Sequence, residues 1–139
     1  MMRTKNLLLW TVQTVLALLF LFAGGVKLVL PLEALQQGPI VLPGLFLRFI
    51  GVAEVLGGLG LVLPGLFRIH RELTPIAAGG LIIIMTGATV LTAQIGPIGP
   101  ALFPFFVGVL CAAVVYGRTA ASFPSGAPAA GRVPALAAR

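Results

Sequence analysis

The sequence predicts an all-α polytopic membrane protein, four transmembrane helices in a bundle, and three observations carry that prediction. Of its 139 residues 59% are apolar and only 9% are charged. Soluble chains run roughly 45–50% apolar and ~25% charged, so a domain of this size cannot hide the excess from water. Next, four runs approach the length of a crossing, since a hydrocarbon core of ~30 Å takes about 20 apolar residues at about 1.5 Å each. Finally, these runs are continuously apolar, without the period-two alternation of barrel strands, which leaves helices.

The first span covers about 7–30 and ends at Pro31. Arg3 and Lys5 precede it, as in a signal peptide, but its uncharged run over 7–26 has 20 residues. A cleaved apolar region has ~7–15, so the segment is expected to be retained. The second span covers about 45–63 and is expected to stop at Pro64-Gly65. The third covers about 74–92, with Thr74 placed to cap it and Pro75 suited to its first turn. The fourth covers about 98–116, with its start blurred by Pro100 and Pro104. Together residues 1–118 form the membrane domain. The tail at 119–139 is rich in Ala, Pro, Gly and Ser and is expected to be disordered.

The hexapeptide VLPGLF occurs at 41–46 and again at 62–67, a shift of 21 residues. The flanks of the two copies do not match, so duplication does not explain it. The shift corresponds to about 31 Å of helix, one membrane thickness. The two copies read as punctuation at the two ends of the second span.

A net charge of +6 would suggest nucleic acid in a soluble chain, but the cations are thinly spread and form no phosphate-tracking cluster. They read as topology signals instead. Arg3, Lys5, Arg68, Arg71, Arg118, Arg132 and Arg139 fall on one side, against Lys27 and Arg48 near the other. The positive-inside rule then places both termini in the cytoplasm. Cys111 is the single cysteine, so no intrachain disulfide can form.

Polar residues at membrane depth are expensive and therefore informative. Glu54 lies nine residues into the second span, about 13 Å along the helix and near the bilayer midplane. A carboxylate there must be protonated, paired or wet. Gly51, Gly57 and Gly58 share its helix face and would let another backbone approach, so Glu54 is expected to face the bundle. Lys27 and Arg48 are its candidate partners. Both can equally snorkel to the headgroups from their helix ends. Arg48 sits about 120° around the helix from Glu54, an awkward intrahelical pair, and Lys27 is the easier partner. The candidate polar site is therefore Lys27, Arg48 and Glu54, with Gly51, Gly57 and Gly58 packed around it.

Gln13, Thr86, Thr89, Thr92 and Gln94 are weaker signals, since such side chains usually bond to backbone or a neighbouring helix. Trp10 and Tyr116 fall where interfacial aromatic belts form. His70, the only histidine, lies in the RIHRE loop outside the spans. No catalytic triad, phosphate-binding loop or dinucleotide fingerprint is present, and no metal-ligand set or catalytic residue is assigned. Any redox centre in which the protein takes part is expected on another molecule.

LFAGGVKL (21–28), RFIGVAEVLGGLGLVLPGL (48–66) and LTPIAAGGLIIIMTGA (73–88) together give the chain its resemblance to the DoxX-like family of small bacterial membrane proteins. The segment with Glu54 among glycines, closed by Leu-Pro-Gly, is the most specific. The resemblance implies a four-helix fold in the bacterial inner membrane, Lys27 and Glu54 as characteristic polar positions, and a link to redox complexes. The family name comes from a subunit associated with a thiosulfate:quinone oxidoreductase. The first expectation is thus a non-catalytic membrane subunit or anchor, with a redox protein partner and a quinone headgroup as ligand. The alternatives are a small proton-coupled exporter using Glu54, with two copies forming the pathway, and a purely structural membrane protein. Lipid bilayer is the common partner of all three.

Overall fold

The computed structural model describes residues 2–38 and 41–122. These form α1 (Met2–Val29), a single-turn α2 (Leu32–Leu35), α3 (Gly44–Leu66), α4 (Leu73–Ile95) and α5 (Ile98–Ser122), with no strand among the described residues. The four long helices are each long and apolar enough to cross a membrane. Their outer faces carry exposed Phe22, Leu45, Ile83 and Phe106, as lipid-facing surfaces do. Inside, Leu16 and Phe20 of α1, Leu61 of α3, Leu81 of α4, and Cys111 and Val114 of α5 make the core.

Three expected boundaries are corrected. The second span does not stop at Pro64-Gly65: α3 runs through Pro64 to Leu66, and the amide of the C-cap Phe67 still bonds to the Leu63 carbonyl. Pro64 removes one amide near the helix end, which forfeits one bond while the rest of the last turn persists. The reversal comes just after, where Arg68 and His70 adopt left-handed φ of 56° and 45°. Thr74 does not cap α4; Glu72 holds that position without a side-chain cap bond, and Thr74 is buried in the first turn. Pro100 falls in the first turn of α5, where its missing amide has no helical partner to lose, and the helix continues through Pro104 to Ser122. The expected tail therefore begins inside α5, and its remainder, 123–139, lies outside the described residues.

α1 and α3 run antiparallel along a glycine edge. Gly44, Gly51, Gly58 and Gly65 recur every seven residues on α3, and a seven-residue period keeps one edge of a helix facing its partner. A Cβ on Gly44 would meet Leu32, on Gly51 Lys27, on Gly58 Ala17 and Leu21, and on Gly65 the ring of Trp10. A different face of α3 meets α4, with Gly57 against Leu81 and Gly60 against Ala77, so Gly57, expected beside Gly51 and Gly58 around the polar site, packs on α4 instead. α4 packs along α5, and α5 closes lightly on α1, where Gly117 meets Leu9. The start of α1, the α3–α4 turn and the end of α5 thus share one end of the bundle, here termed the basic end.

Candidate functional site

The seam between α1 and α3 carries the charged groups singled out above. Glu54 follows Gly51 by one helical turn and so faces α1. It is only 2% exposed. The Lys27 ammonium donates to both carboxylate oxygens, at 2.9 Å to Oε1 and 2.7 Å to Oε2. Gly51 makes this possible, since its missing side chain leaves the Lys27 Cβ within 3.0 Å of where a Cβ would stand. The pair is neutral as a unit, and two bonds to one carboxylate offset part of the cost of taking both ions out of water. The Lys27 side chain keeps 26% exposure. An ammonium has three N–H groups, so one remains beyond the two given to Glu54.

Arg48 does not bond to Glu54. Its guanidinium donates to the Lys27 carbonyl and, at 2.9 Å, to the Leu30 carbonyl. Carbonyls in the last turn of a helix have no intrahelical partner, and a cation there also meets the negative end of the dipole. Arg48 is therefore a clasp from α3 onto the end of α1. The three expected residues are adjacent, but as two different devices: an ion pair and a helix-end clasp. Arg48→Leu is expected to lower stability in detergent by about 1–3 kcal/mol, with Arg48→Lys recovering only part because the fork reaches two carbonyls at once. Chemical denaturation followed by circular dichroism checks both.

A second polar group, at the basic end, exceeds what the sequence alone assigns. Gln13, buried to 1%, donates to the Leu61 carbonyl across the seam and accepts from Arg118 Nε at 2.6 Å. Arg118 also reaches Asn6 Oδ1 at 3.0 Å and lies 5.4 Å above the centre of the Trp10 ring. Gln13 at the core and Arg118 at the end of α5 can each be noticed in the sequence. Their union spans 105 positions and has no local signature. Trp10, expected as an interfacial anchor, is the platform for that guanidinium, whereas Tyr116 is 79% exposed.

The lesser polar residues behave as backbone binders. Thr86, Thr89 and Thr92 each donate to the carbonyl four residues earlier, at 2.8, 2.7 and 2.7 Å. Among the described residues no group of three or more His, Cys, Asp or Glu could hold a metal ion.

No curated protein and no solved structure matches the chain. The family model described as the DoxX-like family matches residues 11–114. That stretch contains Gln13, Lys27, Arg48 and Glu54 and all but the ends of the helical bundle. The resemblance read from the three sequence segments is therefore supported over most of the protein, and the chain belongs to the DoxX-like family.

Proposed function

We propose that the protein is a non-catalytic membrane subunit, a four-helix anchor for an oxidoreductase or quinone-linked partner in the bacterial cytoplasmic membrane, with its basic end in the cytoplasm. The observation that supports a subunit over an exporter is the bidentate Lys27–Glu54 pair on a carboxylate only 2% exposed. A carboxylate held by both oxygens in a packed seam is poorly placed to exchange protons with two sides of a membrane. The same pair serves an anchor well, since it fixes α1 against α3 while the outer faces stay apolar.

The redox link rests on the family resemblance. For the quinone, the support is chemical: a partly exposed ammonium with one remaining N–H suits a carbonyl acceptor. For a partner helix, Gly80 and Gly87 lie seven apart on α4 with no atom within 4 Å of a Cβ position, and small residues allow close helix approach. The orientation follows from the cations gathered at the basic end. Purification in mild detergent is expected to recover a redox protein or an extractable quinone. Recovery of neither across several growth conditions, or Glu54-dependent flux in proteoliposomes, would overturn the proposal.

A further inference from the structure

Beside the Gln13–Arg118 group, the basic end holds a cleft of about 780 Å³ that the proposed function does not use. Its cationic lining comes from Arg68 and Arg71 in the α3–α4 turn and Arg118 of α5, with His70 beside them and Glu72 as the acid. Three permanent cations against one carboxylate give the cleft a positive field. Asn6, Gln13 and Thr74 add neutral polar groups to the same lining.

The arrangement is built, not incidental. Arg118 is held by Gln13, Asn6 and the Trp10 ring, so its planar fork is already ordered before any ligand arrives. Arg68 and His70 sit in left-handed backbone, at φ of 56° and 45°. Neither is glycine, and such conformations persist only where the surrounding structure over-determines them. The reversal that contains them borders the cleft with Arg68, His70 and Arg71. Arginine forks match the paired oxygens of a phosphate.

We propose that this cleft is a binding site for a phosphate group, presented by an anionic lipid headgroup or by a soluble phosphate. Like charges at Arg68, Arg71 and Arg118 around one cleft repel one another, and a bound phosphate relieves that repulsion while accepting from the exposed forks of Arg68 and Arg71. The site is separate from the Lys27–Glu54 pair, at the other end of the seam, and does not depend on the redox assignment.

Trp10 is the only tryptophan in the chain and lines the cleft, so its fluorescence reports on this site alone. The full-length protein in phosphatidylcholine nanodiscs is titrated with inorganic phosphate in one arm. In the other, nanodiscs of increasing phosphatidylglycerol content replace it. A saturable Trp10 response is expected in at least one arm, and which arm responds identifies the source. Arg68→Gln/Arg71→Gln is expected to weaken the response by about ten-fold or more, as lost charge-assisted bonds do. The control is Arg3→Gln/Lys5→Gln, which removes two cations from the same end but outside the cleft lining, and it is expected to bind as the parent does. The two turn arginines are exposed, so their loss leaves the helical fold intact by circular dichroism. No saturable response in either arm, or equal weakening in both double variants, overturns the proposal.

Discussion

Lys27→Met is expected to destabilise the protein more than any other single charge substitution, with a loss near the lower end of the ~3–5 kcal/mol seen when one partner of a buried ion pair is removed. The reason is asymmetric burial. Glu54 is 2% exposed whereas the Lys27 side chain retains 26%. Without Lys27 the carboxylate has lost both its bonds and cannot reach water from mid-helix. Without Glu54 the lysine stem can extend its ammonium toward the headgroups. Glu54→Gln should therefore be milder, at roughly 1–2 kcal/mol, because an amide oxygen can still accept from Lys27. The double variant Lys27→Met/Glu54→Gln buries no ion, so it should be more stable than Lys27→Met alone. Unfolding of all four proteins in mixed micelles, read as a double-mutant cycle, gives the coupling directly. Equal losses in the two single variants would show that exposure does not govern the pair.

The bundle and the ion pair are legible in the sequence for one physical reason. Lipid offers no hydrogen bonds, so length, hydropathy and any charge at depth are under strict constraint. Glu54 at that depth has to be protonated, paired or wet, and of its two candidate cations the easier one, Lys27, is the partner. The role of Arg48 is hidden because its partners are backbone carbonyls at the end of α1 and just beyond it, which no side-chain pattern reveals. Helix ends are illegible where proline reads as a stop. Pro64, Pro100 and Pro104 lie inside helices, since a span surrounded by lipid keeps its remaining bonds instead of exposing them. The true reversal after α3 uses Arg68 and His70 in left-handed backbone, positions where glycine would have been the readable signal. The seven-residue glycine period, by contrast, is present in the sequence, but only the antiparallel pairing with α1 gives it meaning.

That seam yields the second large effect, a contrast between neighbours. Gly24→Ala is expected to cost about 1–3 kcal/mol or more, as overpacking does, whereas Gly25→Ala should be neutral or stabilising by up to about 1 kcal/mol from helix propensity. A Cβ at Gly24 would stand 2.6 Å from the Gly51 carbonyl oxygen and 3.0 Å from the Val55 amide nitrogen. Both are backbone atoms of α3, so no rotamer change relieves the clash and the helices must separate. A Cβ at Gly25 meets nothing within 4 Å. Gly51→Ala should fall between them, because its Cβ would approach the Lys27 Cβ at 3.0 Å and the Gly24 carbonyl oxygen at 3.2 Å. Separation at Gly24 also pulls Lys27, one turn along α1, away from Glu54. Adding Glu54→Gln to Gly24→Ala should then cost less than adding it to the parent, while in the Gly25→Ala background it should cost as much as in the parent. If the two alanine variants unfold at the same denaturant midpoint, the close approach of α1 and α3 is not what holds the ion pair in register.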